Sequence, residues 1–175
     1  MSARVVRDAT PADAAACAGI YAPYVRQTAV SFETEPPTVT EMASRIAVAQ
    51  AGHAWLVLEE DDQLLGYAYG GLYKSREAYR WACEVSVYLG LGRQGTGGGR
   101  QLYEALLTRL RERGYQTATA AMTLPNDASA GLHRAFGFES VGVLRQVGWK
   151  FDTWHDVALL QLDLDPGQGP PAELR

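Results

Sequence analysis

The chain has 175 residues, 47% of them apolar and 21% charged, with a formal net charge of −4, which fits one domain with a sizeable core. That balance has no broad basic footprint and argues against nucleic acid as a partner. Two cysteines and three histidines without ligand spacing argue against a disulfide framework or any metal centre. No apolar run reaches bilayer length and the N-terminus lacks a signal-peptide core, so no membrane partner and a cytoplasmic location are expected.

In chain order, "ARVVRDA" predicts a short strand, and "TPADAAACAGIYAPYV" a helix with Thr10 as N-cap, Pro11 at its first position and Asp13 in its first turn. The connection "TAVSFETEPP" leads to a second helix, "TVTEMASRIAVAQAG", capped by Thr38 or Thr40 and closed by Gly52. Two strands around "EEDD" and a third in "AYRWACEVSVYL" predict an antiparallel meander. After a glycine-rich loop, Leu102, Leu106 and Leu110, with Tyr103 and Leu107 beside them, mark an amphipathic helix that stops at Gly114.

The strand "YQTATAAMT" follows, then a short helix "NDASAGLHRAF" ended by Gly137, and finally two strands joined near "GWKFDTW". This order predicts a single α/β domain over 1–164, with a mixed, mostly antiparallel sheet of about six or seven strands and helices on both faces. The stretch 165–175 offers no core-forming residues and is expected to be loose.

The loop in "SVYLGLGRQGTGGGRQLYEALL" admits two phosphate-binding readings. Gly90, Gly92 and Gly95 satisfy the dinucleotide pattern GxGxxG, but that pattern also needs a carboxylate at the tip of the next strand, and "AMTLPN" has none. In the other register Gln94, Gly97 and Gly99 form Q-x-x-G-x-G, whose backbone N–H groups converge at a helix N-terminus and suit a pyrophosphate. A flexible loop opening a helix is the plain alternative.

Within "RWACEVSVYL", alternation places Ala82, Glu84, Ser86 and Tyr88 on one face and Trp81, Cys83, Val85 and Val87 on the other. A carboxylate in mid-strand is costly unless it faces a polar cleft, where desolvation would raise its pKa and improve it as a base. The plain alternative is a glutamate on a solvated strand face. By themselves, Asn126 reads as a helix cap and His133 as a lone helical histidine. Lys74, Arg76 and Arg80 make a basic loop near Glu84 that would suit an anionic acceptor or would simply be solvated, with "SFET", including Phe32, as a possible opposite wall.

"EVSVYL", "RQGTGGGRQLY" and "LPNDASAGLHRAFGF" resemble, in order and spacing, the cofactor-binding core of the GNAT superfamily of acyl-CoA-dependent N-acyltransferases. The likeness extends to "IYAPYVRQTAVSFETEPPT", "GYAYGGLYKSREAYRW" and "WHDVALLQLDL", and is strongest to the phosphinothricin and methionine sulfone or sulfoximine acetyltransferase branch. It implies acetyl-CoA as acyl donor without a metal, a small-molecule amine acceptor, direct transfer in a ternary complex, and a homodimer.

By the same resemblance, Glu84 is the catalytic base and His133 stands where relatives carry the group proposed to protonate the thiolate, with acid, relay or structural roles open. The cofactor would lie along Val87, Tyr88 and Leu89, with the Val87 N–H polarising the acetyl carbonyl. Gln94, Gly95, Thr96, Gly97, Gly98, Gly99 and Arg100 would hold its phosphates, and Asn126 and Ser129 would complete the site. Phe32, Lys74, Arg76 and Arg80 would meet the acceptor. Acetylation of another amine, such as a protein N-terminus or a polyamine, and a non-catalytic acyl-CoA-binding module are the other readings.

Overall fold

The computed structural model describes residues 4–165, 167 and 169–175; residues 1–3 of the expected domain and 166 and 168 of the expected tail lie outside them. Strand β1 (Arg4–Asp8) leads through one 3-10 turn, Pro11–Asp13, into α1 (Ala14–Gln27). The turn is tighter than the α-helical start expected. The Asp13 carboxylate accepts from the Thr10 amide at 2.7 Å and from both Arg7 Nη atoms at 2.8 and 2.9 Å, which fastens the entry of α1 to β1.

Helix α2 (Val39–Gly52) is capped by Thr38, not Thr40. The Thr38 hydroxyl accepts from the Glu41 amide at 3.2 Å while the Glu41 carboxylate accepts from the Thr38 amide at 2.7 Å, a reciprocal capping box. The meander is β2 (Ala54–Glu60), β3 (Gln63–Leu72) and β4 (Ala82–Leu89), with a 3-10 turn at Glu77–Tyr79 where the third strand was expected to have begun. Helix α3 (Gly98–Arg113), β5 (Thr117–Thr123), α4 (Asp127–Ala135) and the hairpin β6 (Glu139–Lys150) and β7 (Thr153–Asp163) complete the domain.

The seven strands form one sheet in the order β1-β2-β3-β4-β5-β7-β6. All neighbours are antiparallel except β4 and β5, the two strands joined by α3. On one face α3 packs Leu102, Tyr103, Leu106, Leu107 and Leu110, each at most 1% exposed, onto Leu56, Leu58, Ala68, Cys83 and Val85. Burial of such side chains contributes about 1.5–3 kcal/mol each. On the other face α1 and α2 cover Trp55, Val57 and Tyr67, with Tyr88 at the edge of that cluster.

Beyond Leu164 no helix or strand appears among the described residues, and the end of the chain touches the domain. Trp81 Nε1 donates to the Ala172 carbonyl at 2.9 Å, the Arg175 amide donates to the Arg113 carbonyl at 3.0 Å, and Leu174 packs against the α3 core. Among the described residues no helix is long and apolar enough to cross a membrane, and no group of three or more His, Cys, Asp and Glu gathers to hold a metal ion.

Candidate active site

Strands β4 and β5 pair only over Ala82–Glu84 and Thr117–Thr119 and then part. Glu84 therefore stands at the fork. The carbonyls of Trp81 and Cys83 point toward β5, accepting from the Gln116 amide at 2.9 Å and the Thr119 hydroxyl at 3.2 Å, whereas the Gly90 amide points the other way and donates to Leu65. Because strand amides alternate in direction, the backbone groups of Val85, Val87 and Leu89 face the gap beside β5. Val30, Val87, Asn126, Ser129 and His133 are among the residues that line it.

Tyr88 lines the same gap, and its backbone groups and the Leu89 carbonyl already have partners within the protein. The amide and carbonyl of Tyr88 face β3, where Tyr88 is opposite Tyr67, and its ring packs edge-on against Tyr21 and Tyr24. The Leu89 carbonyl accepts from the Tyr24 hydroxyl at 2.6 Å, which leaves its amide to face the gap.

The face assigned to Glu84 by alternation is the one covered by α1 and α2 around Tyr88. Its residue keeps a solvent-exposed edge, but the surrounding protein takes water from the carboxylate and pushes its pKa above the ordinary value of 4.5. Water still reaches the group, while its hydration shell is incomplete.

His133 lies on the opposite, α3 side and is 5% exposed. Its Nδ1 is 2.7 Å from the Ser129 carbonyl, which can only accept, so Nδ1 carries the proton of the neutral ring and Nε2 accepts from the Tyr103 hydroxyl at 3.0 Å. Burial lowers the imidazole pKa below 6.5, which favours this neutral form. In it Nε2 has no proton to give, and the proton facing His133 belongs to Tyr103. Sequence reasoning counted Tyr103 only within the apolar stripe of α3; its hydroxyl acquires a polar partner through the packing of α4.

At the far end of the gap Gly97 is the N-cap of α3 with φ +83°, a conformation that favours glycine. A Cβ on Gly97 would meet nothing within 4 Å, whereas one on Gly98 would stand 2.8 Å from Leu58 Cδ2. These glycines are thus required by backbone geometry and helix-sheet packing, not only by approach of a ligand. The first turn of α3 presents the amides of Gly98, Gly99 and Arg100 without intrahelical acceptors. The Arg100 guanidinium lies 5.7 Å from the Phe136 ring centroid.

Gln94 and Thr96 turn inward to order the loop. Gln94 Oε1 accepts from the Gly92 amide at 2.9 Å and Nε2 donates to the Tyr24 hydroxyl at 3.2 Å, so Tyr24 bridges the loop to Leu89. The Thr96 hydroxyl donates to the Arg93 carbonyl at 2.8 Å, and its own carbonyl accepts from Arg4 at 2.8 Å. Asn126 caps α4, accepting from the Ser129 amide at 3.1 Å.

On the acceptor side, Phe32 is 39% exposed beside the hairpin. Lys74 Nζ lies 5.1 and 5.5 Å from the ring centroids of Tyr73 and Tyr79, and Arg76 is exposed. Arg80 bonds Glu77 at 2.9 Å and Glu173 at 3.0 Å and lies over the Trp81 ring. Its partner in the tail is too distant in sequence for local pattern to have shown it.

Residues 6–159 match the family model described as an acetyltransferase (GNAT) domain. The chain is 45% identical to phosphinothricin N-acetyltransferase of Alcaligenes faecalis over 94% of this chain and 83% of that protein. It is 39% identical to L-methionine sulfoximine/L-methionine sulfone acetyltransferase of Pseudomonas paraeruginosa over 95% of this chain and 98% of that protein. A crystal structure of a GNAT superfamily phosphinothricin acetyltransferase from Sinorhizobium meliloti, in complex with acetyl-CoA, superposes with a TM-score of 0.92 at 33% identity, covering 97% of this chain and 94% of that one.

Proposed function

Because the chain belongs to the GNAT acetyltransferase family, we propose that it transfers the acetyl group of acetyl-CoA to the α-amine of a small amino acid within one ternary complex. The observation that carries this reading is the fork of β4 and β5. It opens immediately after Glu84, faces the Val87 backbone, and has the N-terminus of α3 beyond it. The names of the relatives, which specify phosphinothricin and methionine sulfoximine or sulfone, support an acceptor of that kind.

The residues present fit acetyl-CoA. The Val85, Val87 and Leu89 backbone groups would receive an amide-bearing arm as a strand would, and the Gly98–Arg100 amides would receive a pyrophosphate, with Asn126 and Ser129 beside the gap. The cofactor supplies an activated thioester. Glu84, with its raised pKa, takes a proton from the acceptor ammonium directly or through water and releases a nucleophilic amine. The Val87 N–H, which faces the gap, would polarise the thioester carbonyl and stabilise the charge its oxygen gains. The departing thiolate takes back a proton, and in the Tyr103–His133 pair that lines the gap the Tyr103 hydroxyl is the group that carries it.

Lys74 and Arg76 offer positive charge to the acceptor carboxylate, and Phe32 forms an apolar wall. A second copy of the chain covers the β6–β7 hairpin, where Val147, Trp149, Phe151 and Trp154 are 50–57% exposed. A dimer in sedimentation velocity is the expected result for that surface. The location is cytoplasmic.

Thiol release from acetyl-CoA with a panel of amino acids tests the activity, and release that never depends on an acceptor refutes it. Glu84→Gln is expected to reduce turnover by roughly 10²-fold or more with acetyl-CoA affinity by calorimetry nearly unchanged. Wild-type turnover in that variant would remove Glu84 from the mechanism.

A further inference from the structure

Lys150, at the end of β6, has no place in the chemistry above, yet its burial is unusual for a lysine: it is 8% exposed. Its Nζ donates to the Val25 carbonyl at 2.7 Å and to the Ser31 carbonyl at 2.6 Å. Val25 lies in the last turns of α1, whose carbonyl end favours a cation, and Ser31 lies in the loop between α1 and α2. One ammonium thus joins the helix end to the loop. A neutral side chain there would leave two inward-facing carbonyls unpaired.

Two neighbours on the hairpin grip the same loop. A Cβ at Gly148 would overlap the Phe32 ring, so this glycine allows Phe32 to lie directly on the β6 backbone. His155 on β7 donates from Nε2 to the Lys150 carbonyl at 2.9 Å, and its ring centroid is 6.0 Å from that of Phe32. From the other side, the Ser31 and Tyr21 hydroxyls are 2.7 Å apart, and Arg45 holds Glu33 through two bonds of 2.7 and 2.9 Å. Val30, which directly precedes these anchors in the chain, lines the gap between β4 and β5.

We propose that Lys150 is a positioning residue for the acceptor: by binding the Val25 and Ser31 carbonyls it fixes Val30, Ser31 and Phe32 as one wall of the acceptor pocket, with Gly148 setting where the Phe32 ring rests. This rests on the acetyl-transfer reading, because only that reading makes the wall an acceptor site. Among the described residues, the hydrogen bonds of the Lys150 ammonium go to Val25 and Ser31 and none reaches the first turn of α3, where the phosphates would lie.

The test is Lys150→Met, which keeps the length of the side chain and removes its donors. Acceptor KM is expected to rise about 10-fold or more while acetyl-CoA affinity stays within about 2-fold, and Lys150→Arg, which restores paired donors, is expected to recover most of the loss. Gly148→Ala, with Lys150 intact, should give the same split by displacing Phe32 and serves if Lys150→Met does not fold. An unchanged acceptor KM, or a parallel loss of acceptor and acetyl-CoA binding, overturns the proposal.

Hydrogen exchange by mass spectrometry gives a readout independent of activity. Faster exchange confined to 26–34 in Lys150→Met is expected, and wild-type exchange there overturns the clamp. If the wild-type protein shows no acceptor-dependent thiol release but Lys150→Met loosens 26–34, the acetyl-transfer reading fails while the structural role of Lys150 stands.

Discussion

Gly97→Ala separates the backbone requirement of the glycine loop from its binding role. Gly97 has φ +83° and ψ −7°, and an added Cβ meets nothing within 4 Å, so the substitution introduces conformational strain without a clash. An L-residue in the left-handed region costs about 1–2 kcal/mol. For a domain of this size each kcal/mol moves Tm by about 2–4 °C, so a fall of about 2–8 °C is expected in calorimetry.

If the variant escapes the strain by leaving the left-handed conformation, binding must restore that conformation to aim the α3 amides. The loss of CoA affinity is then bounded by the strain itself, at about 5- to 30-fold. Gly92→Ala is the control, because Gly92 has φ +81° and equally open surroundings but lies away from the helix cap. It should lose similar stability and little affinity. Calorimetric titration with CoA showing equal Kd values for the two variants would refute the assignment of the phosphate site, and an unchanged Tm for Gly97→Ala would refute the strain.

The raised pKa of Glu84 places the acid limb of the turnover profile above 4.5, with activity lost as pH falls through that raised pKa; a limb that survives in Glu84→Gln speaks against the assignment. Tyr103→Phe leaves the buried His133 Nε2 without its donor and should destabilise by about 1–3 kcal/mol in denaturant titration, and an unshifted midpoint contradicts the tautomer. The folded-state pKa of His133 lies below 6.5, so its contribution to stability is full above pH 6.5 and is lost as pH falls through the folded value; His133→Gln should flatten that part of the stability profile. Arg80→Ala should leave acceptor KM unchanged and cost at most about 1 kcal/mol, because its ion pairs are solvent-screened. A raised acceptor KM in that variant would return Arg80 to the pocket.

The elements with short-range causes were legible in the sequence. The four-residue spacing of Leu102, Leu106 and Leu110 declared the buried face of α3, and Gly114 its end. Alternation in β4 separated Tyr88 from Cys83 and Val85, which the two core clusters reproduce. Each is a property of residues within one or two turns or pleats, where backbone periodicity alone relates sequence to direction.

Tertiary structure alone decided which groups meet. The β6–β7 hairpin enters the sheet with β7 beside β5, and its turn end carries Lys150 back to α1, 125 residues earlier in the chain. The packing of α4 on α3 gave Tyr103 its bond to His133, and the end of the tail gave Arg80 an ion pair with Glu173. No local period encodes such partners, because a hydrogen bond depends on atoms lying within about 3 Å, a condition set by strand order and helix packing rather than by spacing along the chain.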